Sequence, residues 1–151
     1  MKALICAVLA MLGTAFAASG ADWSEDLDQA LQEAGASGRY VLVDFSGSDW
    51  CGWCKKLDAE VFKQDAFLAF AKSNLVTVLI DFPRSKPQPA KRKKANGLLA
   101  EKYGISGFPT ILLLSPSGDL VGRTGYRPGG ADPYVEHILS LINKHKAGGT
   151  P

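Results

Sequence analysis

The chain has 151 residues, 46% of them hydrophobic and 21% charged, which suits one domain with its own core and excludes a disordered chain. Lys and Arg number 17 against 15 Asp and Glu, and the resulting charge of +2 is too small to argue for nucleic acid as a partner. No aromatic-interleaved basic face suggests one either.

Met1-Lys2 gives a short positive start, Ala3 to Leu12 is apolar throughout, and Thr14 to Ala18 offers small residues in an A-x-A arrangement. That is the layout of a secretory signal peptide, so residues 1–17 are expected to be removed after Ala17, with Ala18 and Gly20 as neighbouring cleavage points. Residues 18–151 then form the domain. An uncleaved anchor is the alternative, but the apolar run is short for a bilayer span and breaks at Gly13-Thr14. Cys6, Met1 and Met11 all lie in this segment. The exported chain would retain only Cys51 and Cys54 and would work outside the cytoplasm, in a periplasm first of all, where thiols tend to be oxidised.

Ser24 is placed to cap a helix whose apolar positions Leu27, Ala30, Leu31 and Ala34 share one face, with Gly35 and Gly38 ending it. Tyr40 to Phe45 reads as a buried strand. The stretch SGSDW leads into a helix starting near Cys51 and carrying Leu57, Val61 and Phe62, with Asp65 capping a continuation through Phe67, Leu68 and Phe70. Leu75 to Asp81 is a second buried strand. PRSKPQPAKRKK, from Pro83 to Lys94, brings three prolines and six positive charges and reads as a solvated loop, with a docking surface as the alternative, running into a helix over Asn96 to Tyr103, which Gly104 stops. Thr110 to Leu114 is a third strand, and Leu120 to Thr124 returns antiparallel after a Ser-Pro-Ser-Gly-Asp turn. Asp132-Pro133 starts a last helix with Val135, Ile138, Leu139 and Ile142 on one face, and Gly148 to Pro151 form a tail.

Helices alternating with apolar strands before a hairpin imply an α/β fold with a mixed central sheet and helices on both faces. The first strand ends just before the cysteines. Cys51 and Cys54 therefore fall at the carboxyl end of a strand and the amino end of a helix, where open α/β sheets commonly place their chemistry.

A C-x-x-C pair supplies half of a zinc site, and His137 and His145, eight residues apart on the last helix, do not obviously complete it. Two thiolates can hold copper(I), so a copper carrier stays open as the alternative. A crosslink closing so short a loop stabilises by only about 2 kcal/mol, which makes a purely structural disulfide a weak reading. Redox exchange fits best. Unpaired N–H groups and the macrodipole at a helix start favour the thiolate, so Cys51 is expected to be the more exposed, lower-pKa sulfur. Cys54 sits one turn further in, more buried and able to resolve a mixed disulfide. Gly52 lets the loop close tightly. Asp49 opposes the thiolate, whereas Lys55 and Lys56 favour it.

Val41 to Phe45, then Trp50-Cys51-Gly52-Trp53-Cys54-Lys55, then Tyr103 to Thr110 with its G-F-P-T, resemble the thioredoxin family in order and spacing, over nearly the whole mature chain. The likeness is nearest to exported thioredoxin-like thiol:disulfide interchange proteins. It implies a thioredoxin-like fold and a cis peptide between Phe108 and Pro109 facing the cysteines. It also implies that Asp44, a buried acid with a pKa raised toward neutrality, moves protons to and from Cys54. Trp50, Gly52, Trp53, Phe108 and Pro109 would form the surface that receives a client chain. No cofactor or metal is required, and the partners are protein thiols and disulfides together with a membrane electron donor. The chain is expected to act as a monomer. It departs from the family in Ser46-Gly47-Ser48, in Trp53, in the long basic proline-rich insertion, and in lacking a lysine near Asp44 on the second strand.

Overall fold

The computed structural model describes residues 22–148; the expected signal segment, with Cys6, and the last three residues of the tail lie outside them. Helix α1 (Leu27–Ser37) is followed by β1 (Tyr40–Ser46), α2 (Gly52–Leu57), a π-helical turn (Asp58–Phe62) and α3 (Asp65–Asn74). Then come β2 (Leu75–Asp81), α4 (Ala90–Lys102), β3 (Thr110–Leu114), β4 (Leu120–Thr124) and α5 (Ala131–Gly148). The sheet is four-stranded and mixed, in the order β2-β1-β3-β4. β1 runs parallel to β2 and antiparallel to β3, which pairs antiparallel with β4.

All seven residues of β1 are buried, as a central strand covered on both faces requires. Its alternating side chains feed two cores. Tyr40 and Leu42 pack with Leu57, Val61, Phe62, Phe67, Tyr134 and Ile138, on the face covered by α2, α3 and α5. Val41, Val43 and Phe45 pack with Leu27, Ala30 and Ala34 of α1 and with Leu99 and Tyr103 at the end of α4, on the other face. Asp44 shares the period of Tyr40 and Leu42 and so points beneath α2.

Five boundaries differ from expectation. Asp26, not Ser24, caps α1 by accepting the Gln29 N–H at 3.0 Å. Ser24 is drawn instead to the sheet, where its N–H reaches the Thr77 carbonyl at 2.9 Å and its carbonyl takes the Leu79 N–H at 2.8 Å. Gly35 lies inside α1, and the helix ends at Gly38, whose φ of 72° is a conformation glycine adopts without a Cβ penalty. Asp65 is the first residue of α3, not its cap. α4 starts at Ala90, six residues before the expected Asn96, because Lys and Arg are good helix formers and Pro89 supplies an extended N-cap (φ −56°, ψ 138°). On α5, which begins at Ala131 and so has Asp132 within its first turn, Tyr134 is buried where Leu139 was expected. The buried stripe of α5 runs through Ala131, Tyr134, Ile138 and Ile142, so Leu139 falls at its edge, and the Tyr134 hydroxyl is satisfied by the Gly125 carbonyl at 3.2 Å.

Candidate active site

The site is built at the carboxyl end of β1. Beyond Ser46 the chain turns so that the Cys51 N–H donates to the Gly47 carbonyl at 2.8 Å. The turn explains the glycine of SGSDW: a Cβ on Gly47 would lie 2.4 Å from the indole of Trp50, so only glycine lets that ring fold back over the backbone. Three contacts tie the turn to the chain leaving β2. The Ser48 N–H and hydroxyl both reach the Asp81 carboxylate, at 2.9 and 2.6 Å. The Asp49 carboxylate accepts the backbone N–H groups of Arg84, Ser85 and Lys86 at 3.0, 2.7 and 2.9 Å. The Trp50 indole N–H donates to the Phe82 carbonyl at 2.8 Å.

Cys51 and Cys54 are joined as a disulfide, with Cα atoms 5.2 Å apart. Cys51 is the N-cap of α2, and its sulfur accepts the Cys54 N–H at 3.2 Å, the kind of donor that favours a thiolate once the bond is reduced. The expected contrast in exposure is slight, since Cys51 is 6% and Cys54 4% exposed. Bonding to a buried partner draws the outer sulfur inward. Gly52 has an ordinary negative φ and a Cβ there would meet nothing within 4 Å, so tight closure is not what glycine supplies. Its position leaves the surface beside the dithiol bare.

The Phe108-Pro109 peptide is cis. It lies one residue beyond the Phe45–Thr110 pair of the sheet, at the same end of the sheet as the cysteines. Phe108 packs edge-on against Trp50, with ring centroids 5.8 Å apart, and against Phe82 at 5.1 Å. The structure thus brings Trp50, Phe108 and Pro109 together beside Cys51. Trp53 belongs to a separate group: it is 58% exposed, packs on Tyr126 at 4.9 Å, and carries the Lys56 ammonium 5.3 Å from its ring centroid.

Asp44 sits beneath. It is 6% exposed, and among the described residues its Oδ1 is a buried polar atom without a hydrogen-bond partner. Burial, aided by the nearby Asp58 and Asp81 carboxylates, pushes its pKa up to about 8. A cavity of about 220 Å³ joins it to Cys54, lined also by Trp23, Ser46, Ser48, Lys55, Asp58, Phe62 and Leu79. Leu79 is the β2 residue paired with Asp44, and Lys55, from α2, supplies the only lysine in that lining.

The charges around Cys51 differ from the sequence reading. Asp49 directs its carboxylate at the main chain of residues 84–86, which holds its pKa low. Lys56 pairs with Glu60 at 3.8 Å, and Lys55 donates to the Asp49 carbonyl at 2.9 Å. Sequence reasoning missed Asp81, Phe82, Arg84 and Tyr126. An acid ending an apolar strand was a visible signal for Asp81, but Arg84 lies 35 residues from its Asp49 contact and left none.

A helix-capping dithiol facing a cis-proline turn, over a buried acid, defines the class: a thiol:disulfide oxidoreductase of thioredoxin type. The thioredoxin-like domain family matches residues 27–138, and the chain belongs to that family. It is similar to the disulfide bond reductase DsbH of Chlamydia pneumoniae, 32% identical over 126 residues, a match covering 83% of this chain and 75% of the relative. A solved DsbH oxidoreductase superposes with a TM-score of 0.79 at 29% identity, over 92% of this chain and 95% of the other. The thiol:disulfide interchange protein DsbD 1 of Pseudomonas aeruginosa is 36% identical over 93 residues, 62% of this chain but only 14% of that protein.

Proposed function

We propose that the protein is an exported dithiol enzyme that reduces or isomerises disulfides in client proteins. The Cys51 thiolate attacks one client sulfur, the client S–S bond breaks, and the departing client thiolate takes a proton. Cys54 then gives up its proton to Asp44 and attacks the Cys51 sulfur, releasing the second client thiol and leaving the Cys51–Cys54 disulfide. Two electrons pass from the dithiol to the client bond. Asp44 suits the relay because its pKa of about 8 leaves a carboxylate fraction near neutral pH that takes the Cys54 proton and passes it to the departing client sulfur, because it lines the same cavity as Cys54, and because its buried Oδ1 has no competing hydrogen-bond partner among the described residues. Trp50, Phe108 and Pro109, with the bare surface at Gly52 and the exposed Trp53, receive the client. Proline donates no N–H, so the backbone before it is free to pair with an extended client strand.

The observation that carries this reading is the cavity joining Cys54 to a buried carboxyl with a raised pKa. Trp53 adds no positive charge to the dithiol, and the similarity to a disulfide bond reductase spans most of both chains, so reduction is the favoured direction. Export follows from the charge and apolar run of residues 1–17 as a signal peptide. A reductase working in an oxidising compartment needs its electrons restored, and a membrane carrier is the partner that fits. The relatives reported above are named for disulfide reduction and interchange, so the copper(I) reading gains no support from them. Insulin reduction coupled to a dithiol donor tests the proposal. Wild-type chain lacking residues 1–17 should be active and Cys51→Ser inactive, whereas undiminished turnover by Cys51→Ser would overturn it.

A further inference from the structure

The basic segment between β2 and α4 has no part in the exchange chemistry, yet residues 84–86 are fastened to the active-site turn by the Asp49 carboxylate. That clamp sets the Arg84 guanidinium over the ring of Trp50, its carbon 3.6 Å from the ring centroid. Trp50 is itself fixed by Phe82 and Phe108 and precedes Cys51 directly. A guanidinium stacked on a ring keeps N–H edges with which to grip a carboxylate.

Apart from the buried Asp44, the neighbouring carboxylates are engaged. Asp49 takes the loop N–H groups, Asp81 holds Ser48, Glu60 meets Lys56 and the Tyr126 hydroxyl, and Asp58 pairs with Lys63. The ion pairs Arg39–Glu33, Lys56–Glu60, Lys63–Asp58 and Arg92–Glu25 leave Arg84 out, and among the described residues it reaches the active-site rim without an acidic partner. Among the described residues, an incoming chain meets a cation without an acidic partner and no free surface anion beside Trp50.

We propose that Arg84 is a specificity-determining residue that selects client segments carrying Asp or Glu next to the disulfide to be reduced. The inference rests on the reductase reading above and adds the class of client. Its test uses the reduced protein with three peptide disulfides that differ only in whether Asp, Asn or Lys flanks the cysteine. kcat/KM for the Asp peptide should exceed that for the Asn peptide about three- to fivefold at low salt, the scale of an exposed ion pair. The preference should shrink in about 0.5 M salt. Arg84→Gln should bring the Asp-to-Asn ratio close to one, and Arg84→Lys should keep most of it. An Asp-to-Asn ratio in Arg84→Gln equal to the wild-type ratio overturns the inference, as does an equal loss in Arg84→Lys. Wild-type protein that reduces none of the peptides would instead refute the reductase reading, a result distinct from reduction without charge preference.

Discussion

Replacing Asp44 by Asn preserves the side chain's size and removes its titration. In the folded protein Asp44 binds its proton up to about pH 8, against 3.8 for an ordinary aspartate. Between those values unfolding releases a proton, so this carboxyl lowers stability as pH rises, by about 1.4 kcal/mol per unit. Its effect is nil below the unfolded value and level above the folded one. From pH 5 to 7.5 the wild type should therefore lose about 3 kcal/mol relative to Asp44→Asn. The lowered pKa of His137 is common to both proteins and cancels in the difference. Urea unfolding of the oxidised proteins, followed by circular dichroism at pH 5, 6.5, 7.5 and 9, measures the gap directly. It should widen to about pH 8 and then stay level. A gap constant with pH would mean that Asp44 is ionised in the fold, and the reasoning from its burial would fail.

The same substitution should slow resolution of the mixed disulfide about a hundredfold, the usual scale for one general base, and abolish the rise in that rate through about pH 8. Single-turnover kinetics with a fluorescent client disulfide reads both, and an unchanged pH profile would remove Asp44 from the relay. Gly47→Ala should cost about 1–3 kcal/mol and shift the tryptophan emission, because the added methyl must displace the Trp50 indole from the Phe82 carbonyl. Melts within experimental error of wild type would show that the turn accommodates a Cβ.

The sheet was legible because its strands are continuous runs of buried apolar residues, from Tyr40, Leu75 and Thr110 onward, bounded by glycine, proline and charge. The dithiol, Asp44 and the Phe108-Pro109 turn were legible as positions, the last two through a family resemblance. What escaped was decided by contacts distant in sequence. Ser24 lost its capping role to a sheet bridge with Val78, and Tyr134 joined the buried stripe of α5 with its hydroxyl satisfied by the carbonyl of Gly125, a partner outside the helix. Asp49 looked like a charge opposing the thiolate until its carboxylate was found on the main chain of residues 84–86. The early start of α4 escaped for another reason: its first turns are cationic all round and carry no apolar period.

The most direct test is to ask which sulfur bonds to a client. Reduced Cys54→Ser protein, mixed with a disulfide-bonded client and quenched with acid, should yield one stable adduct, and peptide mass spectrometry should place the linkage at Cys51. A variant that forms no adduct, while wild type under the same conditions reduces the client, would contradict attack by Cys51 followed by resolution through Cys54.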